Sequence, residues 1–236
     1  RGSRTYGVST LRKGHVAVRG PRLRFTFRAK HRTLVRATLV DPELADAVKE
    51  LLQLPGGARL FRFEDETGVH NLTAPLLNDY LAEHIAKYPK RLKGFAALPM
   101  QDPQAAAQEL TRCVKELGFL GALVNGFTQL GEADSAVFYD LPQYRPFWAT
   151  VQELDVPFYL HPRFPLATRR QAYEGHAWIA GSAWGFAVET SIHALRLMGS
   201  GLFDEYPKLK VILGHLGEGL PFGIWRVDHR ISRTSA

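Results

Sequence analysis

The chain has a single cysteine, Cys113, in 236 residues. That excludes an internal disulfide and any metal site built on several thiolates. No apolar run approaches the roughly 18 residues of a membrane span, and no leader-like apolar core with a cleavage site is recognisable. A reducing cytoplasm is the expected setting. A third absence is local. Residues 1–40 contain no Asp or Glu, yet they hold 11 of the 30 lysines and arginines. The remaining 196 residues carry 19 bases against 23 acids, so the net charge of +7 comes wholly from the first 40 positions. Clustered Lys and Arg are the footprint of phosphate contacts, and a nucleic acid is the expected partner of this segment, with a solvated basic tail as the alternative.

Three textures follow one another along the chain. In residues 14–28 apolar and basic residues alternate around Gly20-Pro21, the pattern of a β-hairpin with one basic face. Leu34-Val35-Arg36-Ala37-Thr38-Leu39 can add a third strand, and Asp41-Pro42 opens a helix over 42–53 with Asp41 as its N-cap. After Pro55-Gly56-Gly57 come a short strand at 60–63, a turn at 65–68 and a helix from 73 to 86. From residue 92 short apolar strands alternate with amphipathic helices. The strands read 95–99, 121–125, 156–161 and 210–215; the helices read 103–117, 142–154, 185–200 and one opening near Leu220. This rhythm predicts a parallel sheet with right-handed crossovers. Cys113 sits mid-helix on an Ala- and Leu-rich stretch and is read as structural.

Functional side chains in parallel α/β folds sit at the carboxyl ends of strands. Two successive strands end in histidine: Phe158-Tyr159-Leu160-His161 and Val211-Ile212-Leu213-Gly214-His215. Neutral imidazole binds zinc or manganese and carries protons near neutral pH. Glu218 follows His215 by three positions and can orient it or exchange protons with it, although charge complementarity at a helix start explains it as well. Arg163 and Arg226 are candidate anion binders, since a guanidinium holds a carboxylate through two parallel hydrogen bonds. His176 and His193 are read as structural. Trp178, Trp184 and Phe186 suit either an apolar pocket or core packing.

Residues 86–230 resemble the aromatic-acid decarboxylases of the amidohydrolase superfamily, such as 2,3-dihydroxybenzoate and γ-resorcylate decarboxylases. The resembling segments are GFAALPMQDPQAAAQEL, LGFLGALVNGF, YDLPQYRPFWATVQELDVPFYLHPR, YEGHAW, ETSIHALRLMGSGLFDEYP and ILGHLGEGLPFGIWRVDHR. The resemblance implies strands three to six of a (β/α)8 TIM barrel. It implies a metal-binding role for His161, an active-site role for His215 with Glu218 beside it, and substrate-carboxylate binding by Arg226. It further implies a divalent metal (Zn, Mn or Mg), a small aromatic carboxylic acid as substrate and a homo-oligomer. The family's Glu-x-His or His-x-His of strand one and its aspartate after strand eight have no counterpart in these 236 residues, and four strands alone cannot close a barrel.

The front of the chain reads differently. Tyr6 to Val16, RLRFTFRAK and ARLFRFEDETGVHNLTAPLLNDYL resemble bacterial type IB DNA topoisomerases over about residues 1–82. By that resemblance Lys30 corresponds to a general acid of strand cleavage, although Ala29 stands where the family usually has glycine. The family's catalytic arginines, histidine and nucleophilic tyrosine have no counterpart, so DNA cleavage by that mechanism is excluded and phosphate binding remains. The two resemblances meet near residues 78–83. The chain therefore reads as a chimera of a small α+β segment with a basic hairpin (1–82) and a partial barrel (83–236).

Overall fold

A computed structural model describes residues 11–28, 34–65, 68–71, 73–129 and 135–233. Lys30 lies outside the described residues. The chain separates into two compact units, one of residues 1–77 with 129–135 and one of residues 78–128 with 136–236.

The first unit is an antiparallel sheet backed by a helix. Strands β1 (Val16–Arg19), β2 (Arg22–Arg28) and β3 (Leu34–Val40) lie in sequential order. Gly20 supplies a positive φ of 56° in the β1–β2 turn. The alternation read in the sequence sets the faces. Leu23 is fully buried and packs with Val16, Val18, Phe25 and Phe27 against Ala45 and Val48 of helix α1 (Pro42–Gln53). Asp41 caps α1, its carboxylate accepting from the Leu44 N–H at 3.0 Å. The opposite face of the sheet carries Arg19, Arg22, Arg24 and Arg36, all exposed, with Arg22 paired to Arg19 and Arg36 paired to Thr26. A two-stranded ribbon follows, β4 (Arg62–Asp65) with β5 (Gly68–Asn71).

The second unit is α/β. Strands β6 (Ala122–Asn125), β7 (Pro157–His161) and β8 (Lys210–Leu213) are parallel and adjacent in chain order. The expected strand at 95–99 is reduced to one parallel bridge, Ala96 to Ala122, because Pro99 and the turn at 100–102 end its ladder early. An order that follows the sequence means that the strands wind in one direction, whereas a doubly wound sheet reverses. Helix α2 (Ala74–Lys87) runs into this unit from residue 78, and α3 (Pro103–Lys115), α4 (Arg145–Glu153), α5 (Gly185–Gly199), α6 (Leu202–Glu205) and α7 (Leu220–Ile231) are its further α-helices among the described residues. Asp102 caps α3 by accepting from the Gln104 and Ala105 N–H groups. Trp148, Phe147, Tyr144 and Phe158 are fully buried and form the centre of the core. The rings of Phe147, Trp148 and Phe158 meet edge to face, the arrangement an aromatic quadrupole favours.

Two sequence readings need correction or completion. Trp178 and Trp184 are 73% and 60% exposed, so neither lines a closed pocket nor packs in the core. Cys113 is buried, and burial with the neighbouring Glu109 charge pushes its thiol up to about 12, which makes it a packing residue and not a nucleophile. Among the described residues no helix is long and apolar enough to cross a membrane.

Candidate functional site

Three parallel strands end in a row of polar side chains. Asn125, the last residue of β6, stands in register with His161, the last residue of β7. Leu160 stands opposite Leu213 of β8, so the next positions bring Gly214 and then His215 to the same rim. His161 Nδ1 lies 2.8 Å from Asn125 Oδ1 and 3.0 Å from the Pro162 carbonyl oxygen. A carbonyl can only accept, so Nδ1 carries the proton and Nε2 keeps its lone pair. The rim backbone is tied on both sides: Gly126 N–H donates to the His161 carbonyl at 2.8 Å, and the Tyr139 hydroxyl donates to the Asn125 carbonyl at 3.2 Å.

Arg163 lies across this corner. Its guanidinium donates to the Phe127 carbonyl and sits 4.4 Å above the Phe127 ring. Its stem passes Gly126, where a Cβ would stand 2.7 Å from Arg163 Cγ, so the site needs glycine there. Desolvation lowers the arginine's pKa, yet the side chain stays charged at any physiological pH.

After β8 the backbone takes an uncommon path. His215, Leu216, Gly217 and Glu218 all have positive φ, at 49°, 59°, 81° and 57°. Only glycine adopts this region cheaply, so three of the four positions are strained. The run turns the chain back on itself and brings His215 Nδ1 to 2.8 Å from Glu218 Oε1. The Glu218 side chain is 4% exposed and that of His215 is 59% exposed. A buried carboxylate thus holds one ring nitrogen of an imidazole that is open to solvent. Arg226 is exposed on α7 and is not drawn into this group.

A second set of contacts ties residues Phe138, Tyr139 and Asp140 to α5. Asp140 receives a bidentate pair from Arg196 at 2.8 Å each, and Arg169 meets the buried Glu189 at 2.7 Å. His193 is 1% exposed, and its Nε2 accepts from the Tyr139 N–H at 3.0 Å. The proton therefore sits on Nδ1, which finds no partner. The reading of His193 as structural fits this packing. Burial pushes its pKa down to about 3. An unfolded histidine titrates near 6.5, so between those values the unfolded chain takes up the proton and the folded chain does not. This contribution is complete above pH 6.5 and is lost as pH falls. At about 1.4 kcal/mol per pH unit, going from pH 8 to pH 5 costs about 2 kcal/mol. Urea unfolding at the two pH values measures it. His193→Gln, which keeps an acceptor for Tyr139 N–H but does not titrate, is expected to lose that dependence; an equal pH dependence in both proteins refutes the assignment.

The structure thus brings His161 and His215 to neighbouring strand ends, pairs His215 with Glu218, places Arg163 at the β7 end and leaves Arg226 apart. The reading of the sequence passed over Asn125 and Tyr139. The signal for Asn125 was available, since it is a polar residue closing the apolar strand Ala122-Leu123-Val124 at its carboxyl end. For a divalent metal, His161 Nε2 has the lone pair and the fixed tautomer of one ligand. Among the described residues no group of three His, Cys, Asp or Glu side chains could hold a metal ion, so one corner of a metal site fits and a full ligand set is not supplied. An open hollow lined by Gln152, Asp155, Tyr206 and Lys208 lies at the opposite, N-terminal ends of β7 and β8.

Comparison with known proteins gives a family and several close relatives. The family model described as Amidohydrolase matches residues 65–230. The match therefore includes residues 65–82, which the sequence also likened to topoisomerases. The γ-resorcylate decarboxylase of Polaromonas sp. (strain JS666 / ATCC BAA-500) is 65% identical over 160 residues, 68% of this chain and 49% of that protein. The γ-resorcylate decarboxylase of Rhizobium sp. (strain MTP-10005) is 63% identical over 153 residues, 65% of this chain and 47% of that protein. Among solved structures, 2,6-dihydroxybenzoate decarboxylase complexed with 2,6-dihydroxybenzoate superposes with a TM-score of 0.66 at 60% identity, covering 69% of this chain and 50% of that one. The dihydroxybenzoic acid decarboxylase of Polaromonas sp. JS666, solved with manganese and the inhibitor 2-nitroresorcinol, gives 0.66 at 63% identity, covering 70% and 49%. The chain spans about half the length of the curated relatives it matches.

Proposed function

The chain belongs to the amidohydrolase family, and on that premise we propose that residues 78–233 carry part of the site of a metal-dependent, non-oxidative decarboxylase of hydroxybenzoate-type acids. Its strands β6, β7 and β8, with the single parallel bridge at Ala96 ahead of them, correspond in this reading to strands three to six of a (β/α)8 barrel, in a cytoplasmic homo-oligomer. The reading rests on the Glu218–His215 pair at the end of β8 beside His161 at the end of β7, within a segment 65% identical to a γ-resorcylate decarboxylase.

The reaction breaks the bond between the ring and the carboxyl carbon, releases CO2 and leaves the ring carbon to take a proton. His215 supplies that proton from Nε2 in its imidazolium form, and the buried Glu218 carboxylate on Nδ1 orients the ring and stabilises its positive charge. Arg226 or Arg163 holds the substrate carboxylate. Arg163 is already engaged by Phe127, which suits a fixed charge better than a mobile clamp. His161 would serve as a ligand to manganese, zinc or magnesium, which when bound supplies Lewis-acid polarisation of the substrate oxygens. The test is a hybrid in which residues 78–233 replace the matching span of the Polaromonas enzyme. CO2 release from 2,6-dihydroxybenzoate supports the reading, and a folded hybrid without it overturns it.

A second reading applies to the first unit. Four exposed arginines on one sheet face, Arg19, Arg22, Arg24 and Arg36, suit non-specific DNA binding, as the topoisomerase-like half of a chimera would require. Binding of duplex DNA by the whole chain should fall with salt by about 0.9 log units per log unit of salt for each neutralised phosphate. Replacing all four with glutamine is expected to flatten that slope by about three to four, on the same scale. An unchanged slope removes the reading.

A further inference from the structure

We propose that Asn125 is a positioning residue for His161: its side-chain carbonyl fixes the imidazole as the Nδ1–H tautomer and sets its rotation, so that Nε2 is the nitrogen offered at the rim. The two residues are register partners on adjacent parallel strands, and the 2.8 Å bond runs between their side chains. The other acceptor, the Pro162 carbonyl at 3.0 Å, belongs to the residue following His161. It moves with the histidine's own backbone and cannot by itself define where the ring points relative to β6. Asn125 can, because its own backbone is held by Gly126 N–H on the His161 carbonyl and by the Tyr139 hydroxyl on the Asn125 carbonyl.

The orientation thus passes inward through named contacts. Tyr139 is fully buried, its carbonyl accepts from Trp148 Nε1 at 2.7 Å, and its N–H is held by His193. The core aromatic cluster is therefore tied to the plane of the rim histidine through one asparagine. An amide oxygen can only accept, so it sets which ring nitrogen carries the hydrogen.

The inference rests on reading His161 as a ligand-bearing residue, but its test needs neither metal nor turnover. In the whole chain, labelled with 15N-histidine and held at pH 8, two-bond correlation spectra distinguish the protonated ring nitrogen from the bare one. Wild-type His161 is expected to show Nδ1–H with a bare Nε2. Asn125→Leu is expected to move both His161 nitrogens toward the averaged shifts of a mixed tautomer, and Asn125→Asp to restore the wild-type pattern. His193, locked by the Tyr139 backbone, reports in the same spectrum that the fold is intact. An Asn125→Leu spectrum identical to wild type at His161 overturns the proposal. If that variant does not fold, the wild-type spectrum decides, because an Nε2–H form of His161 overturns it equally. Failure of the hybrid decarboxylation assay with the expected tautomers would remove the decarboxylase reading and leave this one standing.

Discussion

Exchanging His215 for asparagine in the hybrid enzyme is expected to lower kcat for 2,6-dihydroxybenzoate by about 10²–10⁴, the range that a positioned general acid contributes. KM should change little, because the imidazole acts on the ring carbon and not on the carboxylate that anchors the substrate. Glu218→Gln should cost less, about 10–100-fold, since it keeps the ring in place but removes the charge that stabilises the imidazolium. The ordering follows from the geometry. Glu218 is buried and hydrogen-bonded to Nδ1, so it acts through the histidine, whereas the His215 ring is open to solvent. A His215→Asn hybrid that keeps kcat within a few-fold of its parent contradicts the assignment, whatever Glu218→Gln does.

The largest effect on stability is expected at Asn78. This side chain on α2 is 1% exposed. Its amide nitrogen donates to the Ala97 carbonyl at 2.9 Å and to Glu109 Oε1 at 2.7 Å, while its oxygen accepts from Ala97 N–H at 2.8 Å. Burial pulls the Glu109 carboxyl upward, but the hydrogen bonds from Arg112, Asn78 and Cys113 outweigh it and hold it below the usual range. Arg112 is shared with Asp79 at 2.7 Å. Leucine nearly matches asparagine in reach but satisfies none of these groups. Asn78→Leu therefore strands a peptide N–H, a peptide carbonyl and part of a buried carboxylate, at a cost of about 3–5 kcal/mol. That is a large share of a domain's usual 5–15 kcal/mol, an order-of-magnitude comparison. All four tryptophans, at 148, 178, 184 and 225, lie in the second unit, so urea unfolding followed by their fluorescence reports on that unit alone. A loss under about 1 kcal/mol, less than a single stranded buried group costs, contradicts the role given to this network.

Asn78 also shows where reading the sequence ran short. It lies in the stretch, near residues 78–83, where the two family resemblances meet and the sequence suggests a junction between pieces. A polar residue within an amphipathic helix carries no mark of being buried, because its partners, Ala97 and Glu109, lie on other elements. The same applies to His193, which packs against the rings of Phe138 and Tyr139 from a distant part of the sequence. The periodic features were legible. The Asp41 cap, the basic and apolar faces of β2, and the strand ends at His161 and His215 follow from local spacing alone. The strand expected at 95–99 shrank to one bridge, since apolar composition is shared by strands and by loops that cross a core. The left-handed run at 215–218 has a single glycine, and its other three residues give no local signal of a positive φ. It is held by surrounding structure and by the bond from Glu218 to the ring.

The proposed role of the strand-end row built from residues 78–233 is decarboxylation. The most direct measurement is CO2 release from 2,6-dihydroxybenzoate by the Polaromonas hybrid, with manganese supplied and folding checked by tryptophan fluorescence. The account predicts stoichiometric CO2 and resorcinol, lost on His161→Ala and on His215→Asn. A folded, manganese-loaded hybrid that releases none, or one that releases CO2 equally well without either histidine, would contradict it.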